Sequence, residues 1–257
     1  MTTAKQNAIS LYLDGIQNGN PRAAVAAYTG DRYTQHSTGV SDGADGFIAF
    51  FEPFINRNPV RDFQVVRTLQ EGRHVFVQVY QNLNHGQAEW LTTDFFASDE
   101  NGKIIEHWDV IAPIKPVNPS GRSQFDGPTE VTDLDKTAQN KALVVDFINV
   151  CLIGRDMDRF RDFISSDSYV EHNADRGDGI ESAYAFFAAD DTPLTYQECF
   201  LAVAEGNFVA TLNRASWAGQ DLCQVDVFRV EDGLIVEHWD NSEDVPPKSE
   251  WANSGKF

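Results

Sequence analysis

The sequence has 257 residues and a net charge of −19, from 39 acidic and 20 basic side chains. An acidic surface repels nucleic acid and anionic membranes, so we expect neither as a partner. No segment has the length and apolar character of a membrane span, and the first residues lack the apolar core of a signal peptide. Three cysteines (Cys151, Cys199 and Cys223) form no metal-binding or disulfide pattern. These features predict a cytoplasmic protein with buried thiols.

In the first half of the chain, hydrophobic spacing predicts three helices, at residues 5–17, 21–28 and about 47–54. The first has apolar side chains at i, i+3, i+4 and i+7, and the third carries four phenylalanines at helical spacing. A short extended piece is predicted at residues 33–36. Four segments of strand composition follow, at residues 63–69, 75–80, 90–96 and 103–110.

The second half repeats this order about 135 positions later. Tyr33 and His36 recur as Tyr169 and His172. The tetrapeptide Glu-His-Trp-Asp occurs twice, at residues 106–109 and 237–240. The spacing between the copies drifts by only a few residues, as changes in loop length would produce. The sequence therefore predicts a tandem duplication of one domain.

The duplication sets the predicted domain boundaries. One domain covers residues 1–117 and the second covers 136–257, joined by a Pro- and Gly-rich linker at 118–135. Within each copy, helices are segregated from a mostly antiparallel sheet, which is the α+β class. A sheet that curves around three helices leaves an apolar pocket, so we predict two tandem cone-shaped α+β barrels. We expect the copies to pack as an intramolecular pseudo-dimer, or the chain as a homodimer.

The repeated tetrapeptide supplies the first candidates for chemistry. Side chains alternate along a strand, so His107 and Asp109 share one face while Trp108 lies on the other, and His238 and Asp240 repeat the arrangement. Burial in an apolar cone is expected to raise the pKa of the aspartate toward that of a general base. The histidine would donate a hydrogen bond or relay the proton. The other interpretation is structural, in which these side chains satisfy local hydrogen bonds and the tryptophans cover the core.

Both halves of the sequence resemble the SnoaL-like polyketide cyclases of the nuclear transport factor 2-like superfamily. The first copy carries this resemblance on Tyr33, His36, Asp42-Gly43, Phe50-Phe51, Asp94-Phe95-Phe96 and the segment from Gly102 to Asp109. The second copy has the corresponding residues from Tyr169 to Asp240. The resemblance implies a cone-shaped α+β barrel whose open end binds a mostly apolar ligand without a cofactor. This superfamily includes enzymes such as cyclases, isomerases and dehydratases, and also domains that only bind a ligand or assemble with other chains.

The resemblance also implies roles for individual residues. In the cyclases, the residue matching Asp109 and Asp240 is the base, and it is paired with a histidine on the preceding strand. This sequence has Asp94 and Asp226 in that region, which departs from the cyclase pattern. The acid partner of Asp109 is therefore expected to be His36 or His107.

We predict a small-molecule enzyme that transfers a proton next to a carbonyl, in a cyclisation, isomerisation or dehydration. The predicted catalytic residues are Asp109, His107, His36, Asp240, His238 and His172. The predicted substrate-binding residues are Tyr33, Trp90, Asp94, Trp108, Tyr169, Trp217, Asp226 and Trp239. The expected ligand is an apolar or aromatic small molecule.

The same residues are also compatible with two alternatives to the enzyme. A cluster of His36, His107, Asp94 and Asp109 could in principle hold a metal, but no helical histidine spacing or cysteine pair supports one, so no metal is predicted. The same fold could also be a non-catalytic ligand-binding or assembly module. An open pocket with His and Asp within hydrogen-bonding reach favours the enzyme, whereas a cone filled by its own aromatic rings favours the module.

Overall fold

The computed structural model describes residues 3–257, which divide into two compact units. The first unit combines Pro113 and the described residues before it with Val245–Phe257, and the second unit is Ile114–Asp244. The segment predicted to be a linker therefore packs within the second unit. The C-terminal segment that follows the last strand of the second repeat packs within the first unit.

Three helical segments open the first unit. Helix α1 (Ala4–Ser10) continues into a π-helical segment, Leu11–Gln17, and is followed by α2 (Pro21–Tyr28) and α3 (Gly43–Arg57). The Thr3 hydroxyl caps α1 by accepting a hydrogen bond from the amide of Gln6. Pro21 occupies the first turn of α2, where its missing amide hydrogen has no intrahelical partner to lose. These helices match the three predicted from apolar spacing.

The first unit has one strand more than the four strand-like segments of the sequence. Its strands are β1 (Thr29–Gln35), β2 (Arg61–Glu71), β3 (His74–Leu83), β4 (Ala88–Ser98) and β5 (Ile104–Pro113). They form one sheet in the order β1-β5-β4-β3-β2. The short extended piece is β1, which pairs in parallel with β5, while the other pairs are antiparallel.

The second unit repeats this architecture. Its helices are α4 (Thr137–Phe147), which continues into a π-helical segment at Ile148–Ile153, α5 (Phe160–Phe163) and α6 (Ile180–Ala188). Its strands are β6 (Val170–Glu171), β7 (Leu194–Glu205), β8 (Phe208–Trp217), β9 (Gln220–Glu231) and β10 (Leu234–Asp244). The sheet order β6-β10-β9-β8-β7 is the order of the first unit. Each unit is thus an α+β cone, as expected.

Each sheet packs its concave face against its own helices. In the first unit this core includes Leu11, Val25, Phe47, Val77 and Phe96, and in the second it includes Val144, Phe147, Phe160, Val209 and Phe228. Cys151 and Cys223 are buried, whereas Cys199 is only partly buried, which corrects the expectation that all three thiols are buried. Within residues 3–257, no helix is long and apolar enough to cross a membrane.

Candidate functional site

A cavity of about 190 Å³ lies between the helices and the inner face of the sheet in the first unit. Most of its wall is apolar, with side chains that include Leu11, Ile16, Phe47, Phe51, Phe54 and Trp90. The polar side chains that reach it include Tyr12, Tyr33, Gln35, Asp94, His107 and Asp109. An apolar pocket with a few convergent polar groups is the usual form of a small-molecule site.

Strand register brings the three ionisable groups of this cavity together. On β4 and β5, Asp94 lies directly opposite Asp109, and Phe96 lies opposite His107. Because alternate side chains of a strand share a face, Asp94, His107 and Asp109 all point into the cone. One nitrogen or oxygen from each of the three lies within 4.8 Å of the others. The sequence placed these residues in one site, and the structure brings them together.

The hydrogen bonds of His107 determine which of its nitrogens carries a proton. Its Nδ1 lies 2.9 Å from Gln35 Oε1. The same oxygen also accepts hydrogen bonds from the backbone amides of His36 and Ser37. Oε1 is therefore an acceptor, so His107 Nδ1 is protonated and donates to it. The other nitrogen, Nε2, lies 2.8 Å from Asp94 Oδ1. Asp94 and His107 therefore share one proton across this contact.

Asp94 lines the cavity, and its second oxygen is less well bonded than its first. Asp94 is 1% exposed, and among the described residues its Oδ2 has no partner of normal geometry. Burial raises the pKa of Asp94, while His107, and a Tyr12 hydroxyl close to the carboxylate, offset part of that effect. Since the proton shared with His107 lies at Oδ1, Oδ2 is an acceptor in either state of the pair. An unsatisfied buried acceptor costs about 1–3 kcal/mol, which a donor on a bound ligand would recover.

Asp109 differs from the expectation of a raised pKa. Burial opposes its ionisation, but the Lys256 ammonium, with His107, outweighs this and lowers the pKa of Asp109. The ammonium Nζ lies 3.1 Å from Asp109 Oδ1, and Lys256 is 1% exposed. The sequence prediction was wrong on this point because the cation comes from the C-terminal segment, 147 positions away. Asp94 is therefore the carboxyl with the raised pKa.

The same three residues do not form a good metal site, although their ligand atoms cluster closely. Both ring nitrogens of His107 already have partners, in Gln35 and Asp94. One oxygen of Asp109 holds the Lys256 ammonium, whose charge opposes binding of a cation there. The donor set therefore fits proton transfer better than metal binding.

Two of the predicted residues of the first copy lie outside the cavity wall. His36 stacks on Trp108, with ring centroids 4.6 Å apart. Its Nε2 lies 3.0 Å from Glu106 Oε1, and its Nδ1 lies 2.7 Å from the carbonyl oxygen of Gly255. His36 and Trp108 thus hold the outer face of the sheet and the C-terminal segment. The predicted Tyr33 and Trp90, by contrast, line the cavity.

Comparison with known proteins identifies the domain that contains this cavity. Residues 9–107 match the family model of the SnoaL-like domain, SnoaL_2. We call the first unit the SnoaL-like domain, after the family whose model matches these residues. The matched range includes the end of α1, helices α2 and α3, strands β1 to β4 and the start of β5, and therefore Asp94 and His107.

Several solved structures are similar to one SnoaL-like unit of the chain. A candidate ketosteroid isomerase from Kribbella flavida is 23% identical, covering 44% of this chain and 84% of its own, with a TM-score of 0.38. A candidate SnoaL-like polyketide cyclase from Jannaschia sp. is 20% identical over 42% of this chain and 84% of its own, with a TM-score of 0.36. An NTF2-like protein from Cytophaga hutchinsonii is 15% identical over 46% of this chain and 95% of its own, with a TM-score of 0.36. A search of curated proteins finds no match.

The second unit has the same site geometry as the SnoaL-like domain but different charges. His238 Nδ1 lies 2.9 Å from Glu171 Oε1, and Nε2 lies 3.0 Å from Asp226 Oδ1. Glu171 stands where the SnoaL-like domain has the neutral Gln35. Burial would lower the pKa of His238, but the two carboxylates outweigh it and raise that pKa to about 10. The imidazole is therefore held as a cation at neutral pH.

The carboxylate of Asp226 is fully bonded, unlike that of Asp94. Beside His238, Asp226 accepts hydrogen bonds from the Tyr196 hydroxyl and from the Asn213 and Gln224 amides. Strand register places these three donors at the positions of residues Phe63, Val79 and Thr92 in the SnoaL-like domain. The second cone is also filled by its own aromatic rings and keeps a void of only about 10 Å³.

The remaining predicted residues of the second copy are bound within the protein. Asp240 accepts hydrogen bonds from Asn173 and Arg176, and Tyr169 donates to Glu171. His172 stacks on Trp239 and lies 2.9 Å from Glu237. Trp217 is 46% exposed and lies outside the void, so it does not line the pocket for which it was predicted. The structure therefore brings His238, Asp226 and Tyr169 together around a space too small for a ligand.

Sequence reasoning missed four residues of these sites: Tyr12 and Gln35 in the cavity, and the two cations Lys256 and Arg176. For Gln35 a signal was present, because Tyr-Thr-Gln-His in one copy aligns with Tyr-Val-Glu-His in the other. The neutral Gln35 of the first copy thus corresponds to the charged Glu171 of the second, each next to a histidine. This difference indicates that the two histidine sites differ in charge. Lys256 had no such signal, since it lies in the short C-terminal segment after the last strand.

Proposed function

We propose that the SnoaL-like domain binds a small, mostly apolar molecule and moves a proton at a carbon next to a carbonyl group. The observation that carries this proposal is the unused oxygen of Asp94, buried in an apolar cavity beside His107. Burial raises the pKa of this carboxyl, which makes it a stronger base than a solvent-exposed carboxylate, as proton abstraction requires.

In the proposed step, Asp94 Oδ2 accepts the proton from the carbon. The electron pair of the broken C–H bond moves toward the carbonyl, which becomes an enolate. The proton shared between Asp94 Oδ1 and His107 Nε2 moves onto the imidazole, and the neighbouring carboxylate of Asp109 stabilises the resulting positive charge. Return of the proton from Oδ2 to another carbon of a conjugated enolate completes an isomerisation. In a dehydration, the enolate expels a hydroxyl group from the neighbouring carbon, and this group takes the proton from Oδ2 and leaves as water.

Two phenols on the cavity wall are suited to stabilise the enolate oxygen. Burial raises the pKa of both Tyr12 and Tyr33 well above the usual value, and the nearby carboxylates raise it further. Both hydroxyls therefore stay protonated and can donate hydrogen bonds. The Tyr12 hydroxyl lies 3.1 Å from Thr92 Oγ1, which holds the ring in place.

The second unit is proposed to be non-catalytic. Its carboxylate has no free oxygen, its histidine is held as a cation, and its cone is filled. This combines the two interpretations left open by the sequence, with a binding site in one copy and a structural module in the other. Cytoplasmic location and self-association stay predictions.

The proposal is tested by deuterium exchange of ketones. Uptake at the carbon next to the carbonyl is followed by NMR in D₂O for a panel of bicyclic ketones such as 2-tetralone. We expect Asp94→Asn to slow catalysed exchange about 10²–10⁴-fold, while the matched control Asp226→Asn leaves the rate unchanged. Equal rates in the wild type and Asp94→Asn would overturn the proposal. Binding of the ketones to the wild type without exchange would instead favour a ligand-binding module.

A further inference from the structure

The C-terminal segment is built into the wall of the SnoaL-like cavity. Asn253 donates to the carbonyl oxygens of Ser37 and Val40, at 2.6 and 2.8 Å, and both of these residues line the cavity. The amide of Ala252 donates to the carbonyl of Thr38, at 2.8 Å. The segment therefore holds the loop after β1, which carries one side of the pocket.

A glycine turn directs Lys256 from this segment toward the site. Gly255 has φ of +109°, a conformation that favours glycine. A Cβ atom there would lie 2.0 Å from the ring of Trp251, so no other side chain fits without displacing the ring. The following residue, Lys256, is thereby buried with its Nζ 3.1 Å from Asp109 Oδ1.

We propose that Lys256 is a positioning residue of this cavity, whose ammonium keeps Asp109 ionised so that the proton of the site resides on Asp94 and His107. The inference rests on the proposed proton transfer for its catalytic consequence. The two carboxyl groups are opposite each other in the sheet, so they cannot both be charged without cost. A fixed cation on one of them decides which ionises, and separating the pKa values of two neighbouring carboxyls assigns the acid–base roles.

The second unit supplies the corresponding cation from a different place. Arg176 binds Asp240 and Glu171 at 3.4 and 3.1 Å, and its guanidinium lies over the rings of Phe186 and Phe187. Counting from the repeated Tyr-x-x-His and Asp-Gly sequences, the residue of the SnoaL-like domain at this position is Val40. Val40 lines the open cavity. Delivering the cation from the C-terminal segment instead keeps this space free for a ligand.

The charge state of Asp109 depends on all the ionisable groups around it. Those that face it are Lys256 from the C-terminal segment, His107 on its own strand, Asp94 on β4, Tyr33 on β1 and Tyr12 from the first helix. Lys256 and His107 favour the carboxylate, while Asp94 opposes it. Lys256 is the one cation in this set whose charge is independent of the Asp94–His107 proton.

The test is a carboxyl titration by carbon-13 NMR on the full chain. The variants are Lys256→Met, Lys256→Arg, Asp109→Asn and the double variant Asp109→Asn with Lys256→Met. We expect Lys256→Met to raise the titration midpoint of Asp109 by about 1–3 pH units, and Lys256→Arg to restore it. In the Asp109→Asn background, Lys256→Met should move the Asp94 midpoint far less than it does in the wild type. This double variant buries no unpaired charge. If Lys256→Met alone fails to fold, Lys256→Gln, which keeps a neutral hydrogen-bond donor for Asp109, replaces it and is expected to raise the Asp109 midpoint in the same direction.

The inference is overturned if Lys256→Met leaves the titration midpoint of Asp109 unchanged. It is also overturned if Lys256→Met shifts the Asp94 midpoint equally in the wild type and in Asp109→Asn. The rate of ketone exchange is measured on the same samples. A displaced pH–rate profile in Lys256→Met, restored by Lys256→Arg, extends the inference to catalysis. An Asp109 shift together with exchange that is insensitive to Asp94→Asn would reject the proposed reaction and leave the role of Lys256 in place.

Discussion

Asp94 and Asp226 occupy the same position in the two sheets, yet Asp226 accepts hydrogen bonds from four side chains, while one oxygen of Asp94 has no partner of normal geometry among the described residues. Each lies opposite an aspartate of the neighbouring strand and beside a histidine. The difference comes from the surrounding strands, where apolar side chains or a threonine replace the donors of the second unit. The same position thus lines an apolar cavity in one unit and belongs to a closed polar cluster in the other.

The hydroxyl of Tyr196, which donates to Asp226, has no counterpart at Phe63 in the SnoaL-like domain, and we expect this difference to control the bonding of Asp94. Phe63→Tyr places a hydroxyl at the position of Tyr196 in the second unit. We expect this hydroxyl to donate a hydrogen bond to Asp94, which should stabilise the fold by about 1 kcal/mol and abolish ligand binding. Tyr196→Phe should destabilise the protein by about 1–2 kcal/mol without affecting binding. Urea unfolding and ketone binding measure both effects. Unchanged binding in Phe63→Tyr would mean that Asp94 does not meet the ligand.

Truncation of equivalent phenylalanines should separate an open cone from a filled one. Phe187 is buried in the second core, so Phe187→Ala should cost about 3–5 kcal/mol of unfolding free energy through the cavity it leaves. Phe51, 136 positions earlier, lines an existing cavity, so Phe51→Ala should cost clearly less and should admit larger ketones. Unfolding in urea measures the two costs. Equal costs would contradict the difference in packing.

Stability should depend on pH through His238. The pKa of His238 is raised to about 10 in the fold, against about 6.5 for a free histidine, so its contribution is fully present below pH 6.5 and is lost as the pH rises toward 10. We expect the free energy of unfolding to fall by up to about 1.4 kcal/mol per pH unit in this window. Glu171→Gln removes the main cause of the raised pKa and should flatten the dependence.

Unfolding in urea at several pH values, with imidazole NMR of His238, measures this effect. Other groups that titrate between pH 7 and 10 are common to the wild type and Glu171→Gln, so they cancel in the comparison. The same slope in both proteins would show that Glu171 does not hold the proton on His238.

Gly255→Ala should release the C-terminal segment from the SnoaL-like domain. The added methyl group meets the ring of Trp251, and the backbone conformation disfavours alanine, so Lys256 should leave Asp109. We expect a loss of about 1–3 kcal/mol in stability and an Asp109 titration like that of Lys256→Met. Gly86→Ala, at a glycine with similarly positive φ but open space around it, is the control for backbone strain alone. Two variants with the same Asp109 midpoint would exclude a role for the turn.

Periodicity and the internal repeat were sufficient to predict two units of the α+β class, the three helices of each unit and the strands that carry Asp94 and His107. These features depend on local patterns, because apolar side chains recur at the spacing of a helix or strand that buries one face. The fifth strand was harder to recognise, since β1 is ordered by parallel pairing with β5, about 70 positions away. Alternation along β5 correctly placed His107 and Asp109 on one face.

Only the tertiary structure decided which carboxyl has the raised pKa and which unit has the larger cavity. The pKa of Asp109 depends on a lysine 147 positions away. The hydrogen bonds of Asp94 depend on the side chains that surround it, which come from three other strands and two helices. The sequence by itself determined that the same His and Asp residues recur at corresponding positions of the two copies. The energies that separate the sites arise from burial, charge and hydrogen bonds across distant segments, which have no periodic signature in the chain.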